Sequence, residues 1–120
     1  MSGTVADLLV DTDVFVDHLR GSRRLDPARD RLFYSVITRC ELYSGSEVQE
    51  DSVRRLLQPF EEIPVDRAVA ERAGRIRRGT RLRTPDALIA ATALEHQLIL
   101  VTRNARDFES APGLKHRAPR

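Results

Sequence analysis

The sequence is poor in cysteine, in lysine and in long apolar runs. Of its 120 residues only Cys40 is a cysteine, which excludes an internal disulfide framework and indicates a reducing compartment. The longest apolar runs, 87–91 and 98–101, fall far short of the roughly 20 residues that span a bilayer. No basic segment precedes an apolar run at the N-terminus, so we expect no signal peptide. We therefore expect one soluble, cytoplasmic domain over residues 1–120, without membrane contact and with a frayed tail from about Lys115.

Positive charge is concentrated in the second half of the chain. The net charge is only +2, and every basic residue except Lys115 is an arginine. Residues 1–60 carry 8 basic and 10 acidic groups, whereas residues 61–120 carry 12 and 8. The segment 67–83 holds seven arginines against Glu71 alone. This asymmetry favours a polyanion that lies over the C-terminal half, although arginine in place of lysine is also typical of a GC-rich genome.

Strand-like and helix-like patterns alternate along the chain. Alternation of this kind predicts an α/β fold with a parallel sheet of four to five strands and helices on its faces. We expect residues 21–30 to form a loop or weak helix. The predicted strands are 5–10, 32–37, 60–65 and 98–102 with an edge strand near Leu114, and the predicted helices are 13–20, 38–44, 47–58, one capped by Asp66, and 84–97.

Four carboxylates are expected at one edge of this sheet. Asp11 follows the first strand, and Asp107 comes shortly after the fourth. Glu41 is predicted in the first turn of a helix opened by a capping box at Thr38. Asp86 is predicted in the first turn of a helix that Thr84 caps and Pro85 begins. Since ligands of parallel sheets bind at the carboxyl ends of the strands, these segments are expected to meet there.

Carboxylates that meet in this way need a cation. Two of them ~5 Å apart repel by about 3 kcal/mol at an effective dielectric near 20. A hard divalent ion such as Mg²⁺ or Mn²⁺ relieves the repulsion and can activate water beside a phosphate. The acids other than Asp11 also have a structural interpretation. Glu41 is then the reciprocal partner of the Thr38 cap, Asp86 a first-turn helix acid, Asp13 a helix cap, and Asp107 a turn residue paired with Arg103 or Arg106. The acids expected only on the solvated surface are Asp7, Asp17, Glu47, Glu50 and Asp51.

Four segments together resemble the PIN-domain ribonucleases, and within them the VapC-like toxins of toxin–antitoxin pairs. They span residues 8–108 in the family's order. The segments are Leu-Leu-Val-Asp-Thr-Asp-Val-Phe-Val-Asp (8–17), Ser-Val-Ile-Thr-Arg-Cys-Glu-Leu-Tyr-Ser-Gly (35–45), Pro-Asp-Ala-Leu-Ile-Ala-Ala-Thr-Ala-Leu-Glu-His (85–96) and Leu-Val-Thr-Arg-Asn-Ala-Arg-Asp-Phe (100–108). The resemblance implies a three-layer PIN-like sandwich, a Mg²⁺-dependent endoribonuclease that also accepts Mn²⁺, and a homodimer silenced by an antitoxin.

The resemblance also implies roles for individual residues. Asp11 and Asp86 correspond to the main metal ligands and Glu41 to another acid of the site. The fourth position is open between Asn104, where some members have an acid, and Asp107, which here follows three residues later. Asp13 stands where the family usually has Asn or Ser. The hydroxyls of Thr12 and Thr102 are expected to support the site or to cap the next turn. The arginines expected on the RNA backbone are Arg75, Arg77, Arg78, Arg81 and Arg83.

Two other functions remain open at this point. The segment Asp11-Thr12-Asp13 also resembles the nucleophile motif of haloacid-dehalogenase-type phosphatases. Such enzymes need a lysine near the phosphate, and Lys115 lies outside any such motif. A PIN module that binds RNA or a partner protein without cleaving anything is the other alternative, and Asn104 in place of an acid favours it.

Overall fold

The computed structural model describes residues 6–21, 31–45 and 48–119. Within these ranges helices and strands alternate along the chain. The strands are β1 (Asp7–Val10), β2 (Arg31–Ser35), β3 (Glu61–Ile63), β4 (Ile99–Val101) and β5 (His116–Arg117), and the helices are α1 (Thr12–Leu19), α2 (Val36–Tyr43), α3 (Glu50–Leu57), α4 (Arg67–Gly79), α5 (Thr84–Glu95) and α6 (Ala105–Phe108).

The five strands form one sheet in the order β3-β2-β1-β4-β5. Every neighbouring pair is parallel, which confirms the predicted sheet. Because β1 and β4 are adjacent and parallel, with Val10 in register with Val101, residues 11 and 102 leave the sheet side by side. The acids described below lie at this carboxyl edge of the sheet.

Helices cover both faces of the sheet, and alternate side chains of β1 reach the two resulting cores. Leu9 packs in a core with apolar residues of α4 and α5, such as Val69 and Ile89. Leu8 and Val10 point the other way and pack in a second core with residues of α1 to α3, such as Phe15. This three-layer arrangement confirms the predicted α/β sandwich. In the described part of the chain no helix is long and apolar enough to cross a membrane.

Two predicted helix starts are wrong. Helix α2 begins at Val36 with Ser35 as its N-cap, and the Ser35 hydroxyl accepts a hydrogen bond from Ile37 N at 3.0 Å. Thr38 therefore lies inside the helix instead of capping it, and Glu41 lies in the second turn. Helix α5 begins at Thr84 itself, so that Thr84 is its first residue and not its cap. Asp66 caps α4 as predicted, through a 2.9 Å hydrogen bond from Val69 N.

The C-terminal segment also differs from the prediction. The last strand is His116–Arg117, not a segment at Leu114, and it is held by backbone hydrogen bonds from Leu100 N to Lys115 O and from Thr102 N to Arg117 O. The tail is therefore paired with β4 beyond Lys115, where fraying was expected. Helix α3 begins at Glu50; its predicted start, Glu47, lies outside the described residues. Residues 22–30 of the predicted loop or weak helix at 21–30 also lie outside them.

Candidate active site

Asp11 is held between the ends of the two central strands. It is only 5% exposed. As the N-cap of α1 it accepts a hydrogen bond on Oδ1 from Thr12 N at 2.8 Å. Its Oδ2 accepts a second, also at 2.8 Å, from the Thr102 hydroxyl at the end of β4. The side chain that caps the helix is therefore Asp11, not Asp13, and both Asp11 oxygens are fixed in place.

Asp13 is tied to the loop that follows β4. Its Oδ2 accepts hydrogen bonds from Asn104 Nδ2 at 2.9 Å and from Arg103 N at 3.3 Å. Its other oxygen, Oδ1, is buried and has no hydrogen-bond partner among the described residues. A buried carboxylate oxygen without a partner is costly, so this atom marks a place where a cation or a donor would be favourable.

Arg103 supplies positive charge to the outer side of this acid group. Its Nη1 lies 3.1 Å from Asp17 Oδ1 and its Nε lies 3.9 Å from Asp13 Oδ2. Asp17 is buried, so its predicted place on the solvated surface is wrong. Of the two arginines considered as partners of Asp107, Arg103 is thus engaged by other acids.

Glu41 reaches the site from α2 through a hydroxyl on α1. The Thr12 hydroxyl donates to Glu41 Oε1 at 2.6 Å. The same Thr12 oxygen lies 3.0 Å from the hydroxyl of Thr38, which is fully buried. The predicted supporting residue Thr12 thus contacts a predicted catalytic acid directly.

Asp86 and Asp107 line a cleft on the side of the site formed by α5 and α6. Asp86 lies in the first turn of α5, whose N-terminus favours the ionised carboxylate. Asp107 is exposed on α6. The cleft has a volume of about 360 Å³ and is lined by Arg81, Leu82, Arg83, Asp86, Asp107 and Ser110.

The carboxylates disturb one another's ionisation. Burial, followed by the charge of Asp13, raises the pKa of Asp11 from 3.8 to about 7, and the charge of Asp86 contributes in the same direction. Burial is also the largest cause that raises the pKa of Asp86, and the charges of Glu41, Asp107 and Asp13 follow. Burial above all raises the pKa of Asp13, and Asp17 adds to it. The acids predicted from four segments therefore share one electrostatic environment.

This donor set suits a hard divalent cation. All of the side chains that converge are oxygen donors, which favour Mg²⁺ or Mn²⁺ over softer metals. Among the described residues no three His, Cys, Asp or Glu side chains are arranged to hold one ion together. Mg²⁺ commonly takes only one or two protein carboxylates and keeps several waters. The excess negative charge and the unpaired Asp13 oxygen are consistent with such an ion.

The five predicted RNA-binding arginines lie in different surroundings. Arg81 and Arg83 line the acidic cleft, and the charge of Arg83 acts to lower the pKa of Asp86. Arg75 lines a separate groove with Leu94 and Pro112. Arg77 donates from Nε to Leu82 O at 3.3 Å and so braces the turn between α4 and α5. Arg78 is exposed near the end of α4.

The roles of four residues of the site were not clear from the sequence. Thr38 belonged to a capping pattern that α2 does not use. Arg103 and Asp17 are 86 residues apart and have no local pattern that predicts their ion pair. Asn104 was considered as an acid substitute, but its amide donates to Asp13, which makes it a support for that carboxylate.

With this fold and acid group described, comparison with known proteins gives the family. The PIN domain model matches residues 8–114, and the chain therefore belongs to the PIN domain family. Its match covers all four segments that carried the resemblance in the sequence.

Individual relatives agree with this assignment. The chain is 38% identical over 123 residues to Ribonuclease VapC10 of Mycobacterium tuberculosis, covering 90% of both proteins. It is 31% identical over 110 residues to the tRNA(fMet)-specific endonuclease VapC of Salmonella typhimurium, covering 82% of both. Among solved structures, a chain of a toxin–antitoxin complex from Klebsiella pneumoniae superposes with a TM-score of 0.76 at 34% identity, covering 89% of this chain and 94% of that one. A chain of DNA-bound VapBC from Salmonella typhimurium also gives a TM-score of 0.76, at 26% identity, covering 95% of this chain and 98% of that one.

Proposed function

We propose that the protein is a metal-dependent endoribonuclease that acts as the toxin of a toxin–antitoxin pair. The observation that carries the proposal is the convergence of Asp11, Asp13 and Asp86 at the carboxyl edge of the sheet. The Thr102 hydroxyl lies 2.8 Å from Asp11 Oδ2 and 3.5 Å from Asp13 Oδ2, and the charge of Asp86 helps to raise the pKa of Asp11. The similarity to VapC ribonucleases over most of the chain supports the same activity. The reaction is the hydrolysis of an RNA phosphodiester bond.

Asp11 and Asp86 would hold a Mg²⁺ ion, which Mn²⁺ can replace, with Asp13 beside them. When bound, such an ion polarises a phosphate oxygen and lowers the pKa of a coordinated water. Asp11 is suited to this role because Thr12 N and the Thr102 hydroxyl fix both of its oxygens. Asp86 is suited to it because it lies in the first turn of α5, on the opposite layer of the sandwich from α1.

Glu41 and Asp107 would orient the attacking water and accept its proton. Glu41 is held on one oxygen by Thr12. Its second oxygen has no hydrogen-bond partner in the described part of the chain and can face a water in a defined direction. Asp107 is preferred to Asn104 as the fourth group, because its charge acts on Asp86 whereas the Asn104 amide is engaged by Asp13. Positioning of this kind typically contributes about 10²–10⁴-fold to the rate.

Arginines around the cleft would hold the RNA backbone. Arg81 and Arg83 flank Asp86 and Asp107 in the cleft, where they would contact the phosphates beside the scissile bond. Arg75 and Arg78 on α4 would contact phosphates further along the strand, and Arg77 would contribute through its hold on the turn that carries Arg81. Contacts of this type give salt-sensitive affinity without reading the sequence of the RNA.

An antitoxin protein and a second copy of the chain are the proposed partners, in the cytoplasm. The structural relative from Klebsiella pneumoniae is a toxin–antitoxin complex and that from Salmonella typhimurium is VapBC bound to DNA. An antitoxin that covers the carboxyl edge would keep RNA away from Asp11 and Asp86.

The test is cleavage of total RNA by the protein freed of antitoxin, in Mg²⁺ and in Mn²⁺. We expect discrete fragments, whose mapped ends identify the target, and their loss with EDTA, with Asp11→Asn and with Asp86→Asn. Asp66→Asn is the matched control, because Asp66 is also a helix N-cap but lies outside the acid group. Full activity of Asp86→Asn would contradict the assigned site. RNA binding without cleavage by folded, metal-loaded protein would favour the binding module.

A further inference from the structure

The buried hydroxyl of Thr38 belongs to a hydrogen-bond chain that ends on a catalytic acid. Thr38 lies inside α2 and is 0% exposed. Its Oγ1 is 3.0 Å from Thr12 Oγ1, which in turn is 2.6 Å from Glu41 Oε1. The three side chains connect the first residue of α1 to two successive turns of α2.

The direction of this chain follows from the chemistry of its members. An ionised carboxylate only accepts hydrogen bonds, and a hydroxyl has a single proton to donate. Thr12 therefore donates its proton to Glu41. The hydrogen bond between the two hydroxyls must then run from Thr38 to Thr12.

The Thr38 hydroxyl does not make the hydrogen bond that is usual for a threonine inside a helix. Its hydroxyl commonly bonds to the carbonyl one turn earlier in the same helix. Thr92, which is equally buried in α5, does this by donating to Leu88 O at 2.7 Å. The Thr38 hydroxyl is instead hydrogen-bonded to Thr12, which lies on another helix next to Asp11.

From this geometry we infer that Thr38 is a positioning residue for Glu41, acting through Thr12. By donating to Thr12, Thr38 fixes the rotation of the Thr12 hydroxyl and aims its proton at Glu41 Oε1. The other Glu41 oxygen would thereby be oriented toward the attacking water of the proposed reaction. This inference rests on the role proposed above for Glu41 in RNA hydrolysis.

Substitution of Thr38 separates this role from simple packing. Thr38→Val keeps the shape of the side chain and removes its donor, and Thr38→Ser restores the donor. We expect Thr38→Val to lower kcat about five- to tenfold with little change in KM, the effect of one misdirected hydrogen bond, and Thr38→Ser to recover most of kcat. Thr92→Val is the matched control and should keep wild-type kcat, because its hydroxyl serves only its own helix.

A spectroscopic measurement tests the positioning without relying on activity. In protein labelled with ¹³C at the glutamate side-chain carboxyl, the Glu41 signal is assigned with Glu41→Gln. We expect Thr38→Val to shift this signal in the same direction as Thr12→Val, and Thr38→Ser and Thr92→Val to leave it near its wild-type position. Thr12→Val also provides a reading if Thr38→Val does not fold.

The outcomes distinguish this inference from the proposed function. An unmoved Glu41 signal in folded Thr38→Val, or equal losses of kcat in Thr38→Ser and Thr38→Val, would overturn the positioning role. Absence of RNA cleavage by the wild-type protein would overturn the proposed function, whereas the shift of the Glu41 signal would still report whether Thr38 orients that side chain.

Discussion

Asp11→Asn should stabilise the metal-free protein above neutral pH while abolishing its activity. The pKa of Asp11 is raised from 3.8 in the unfolded chain to about 7 in the folded one, so the folded state holds the proton more tightly. The stability that this proton contributes is complete below pH 3.8 and is lost as the pH rises through 7. A difference of about three pKa units corresponds to about 4 kcal/mol of folding stability. About half of this stability is lost between pH 5.5 and pH 8.

The asparagine variant avoids this loss because it has no charge to bury. Its amide oxygen can still accept from Thr12 N, whereas the hydrogen bond from the Thr102 hydroxyl must rearrange at a cost of about 1 kcal/mol. At pH 8 in EDTA we therefore expect a net gain of about 2–3 kcal/mol in the free energy of unfolding over wild type. At pH 5.5 the gain should fall to about 1 kcal/mol. Folded wild-type Asp11 then keeps its proton, but the unfolded carboxyl is already ionised, so only about half of the stability is lost at that pH.

Urea unfolding at the two pH values, with EDTA present, measures this difference. The Asp66→Asn variant is the control, since asparagine and aspartate are about equal as N-caps and the charge of Asp66 is not among those that raise the pKa of Asp11. Addition of Mg²⁺ at pH 8 should stabilise the wild type and not Asp11→Asn. An Asp11→Asn protein that is no more stable than wild type at pH 8 would refute the argument that Asp11 is held as a costly buried anion.

Three further predictions concern the cleft, the fourth acid and the core. Arg83→Ala should weaken RNA binding about fivefold and reduce the magnitude of the salt slope by about 0.7, measured by fluorescence anisotropy, whereas Arg75→Ala on the separate groove should change both less. Asp107→Asn should lower kcat about 10–100-fold in the RNA cleavage assay, and a greater loss with Asn104→Ala would contradict the choice of Asp107. Phe15→Leu should lower the free energy of unfolding by about 1–2 kcal/mol in urea titrations, because this fully buried ring makes edge contacts with two other aromatic rings; an unchanged midpoint would show that the second core tolerates the gap.

The sheet and the main acids could be predicted because their signals are local. An apolar strand followed by Asp11 can be recognised in the sequence itself. Because crossovers between parallel strands are right-handed, the alternation of strands and helices also predicts Asp86 at the same edge of the sheet. The first residues of the helices were harder to predict from the sequence. Ser35 and Thr38 are both good caps by composition, and only the end of β2 in three dimensions decides for Ser35.

The remaining contacts of the site depend on segments far apart in the chain. Asp17 was predicted to be a surface acid, whereas in the fold it is buried and pairs with Arg103, 86 residues further along the chain. The hydrogen bond from Asn104 to Asp13 likewise requires the loop after β4 to lie over the start of α1. No periodicity along one segment encodes such pairs, so they emerge only when the strands are placed side by side.

The last strand has a practical consequence for handling the protein. Arg117 O accepts the backbone hydrogen bond of Thr102 N, and the Thr102 hydroxyl holds Asp11. The C-terminal segment is thus connected to Asp11 through two hydrogen bonds, both made by Thr102. Truncation before His116, or a purification tag that pulls this strand from the sheet edge, would loosen Asp11 and mimic an active-site mutation, so an affinity tag is better placed at the N-terminus.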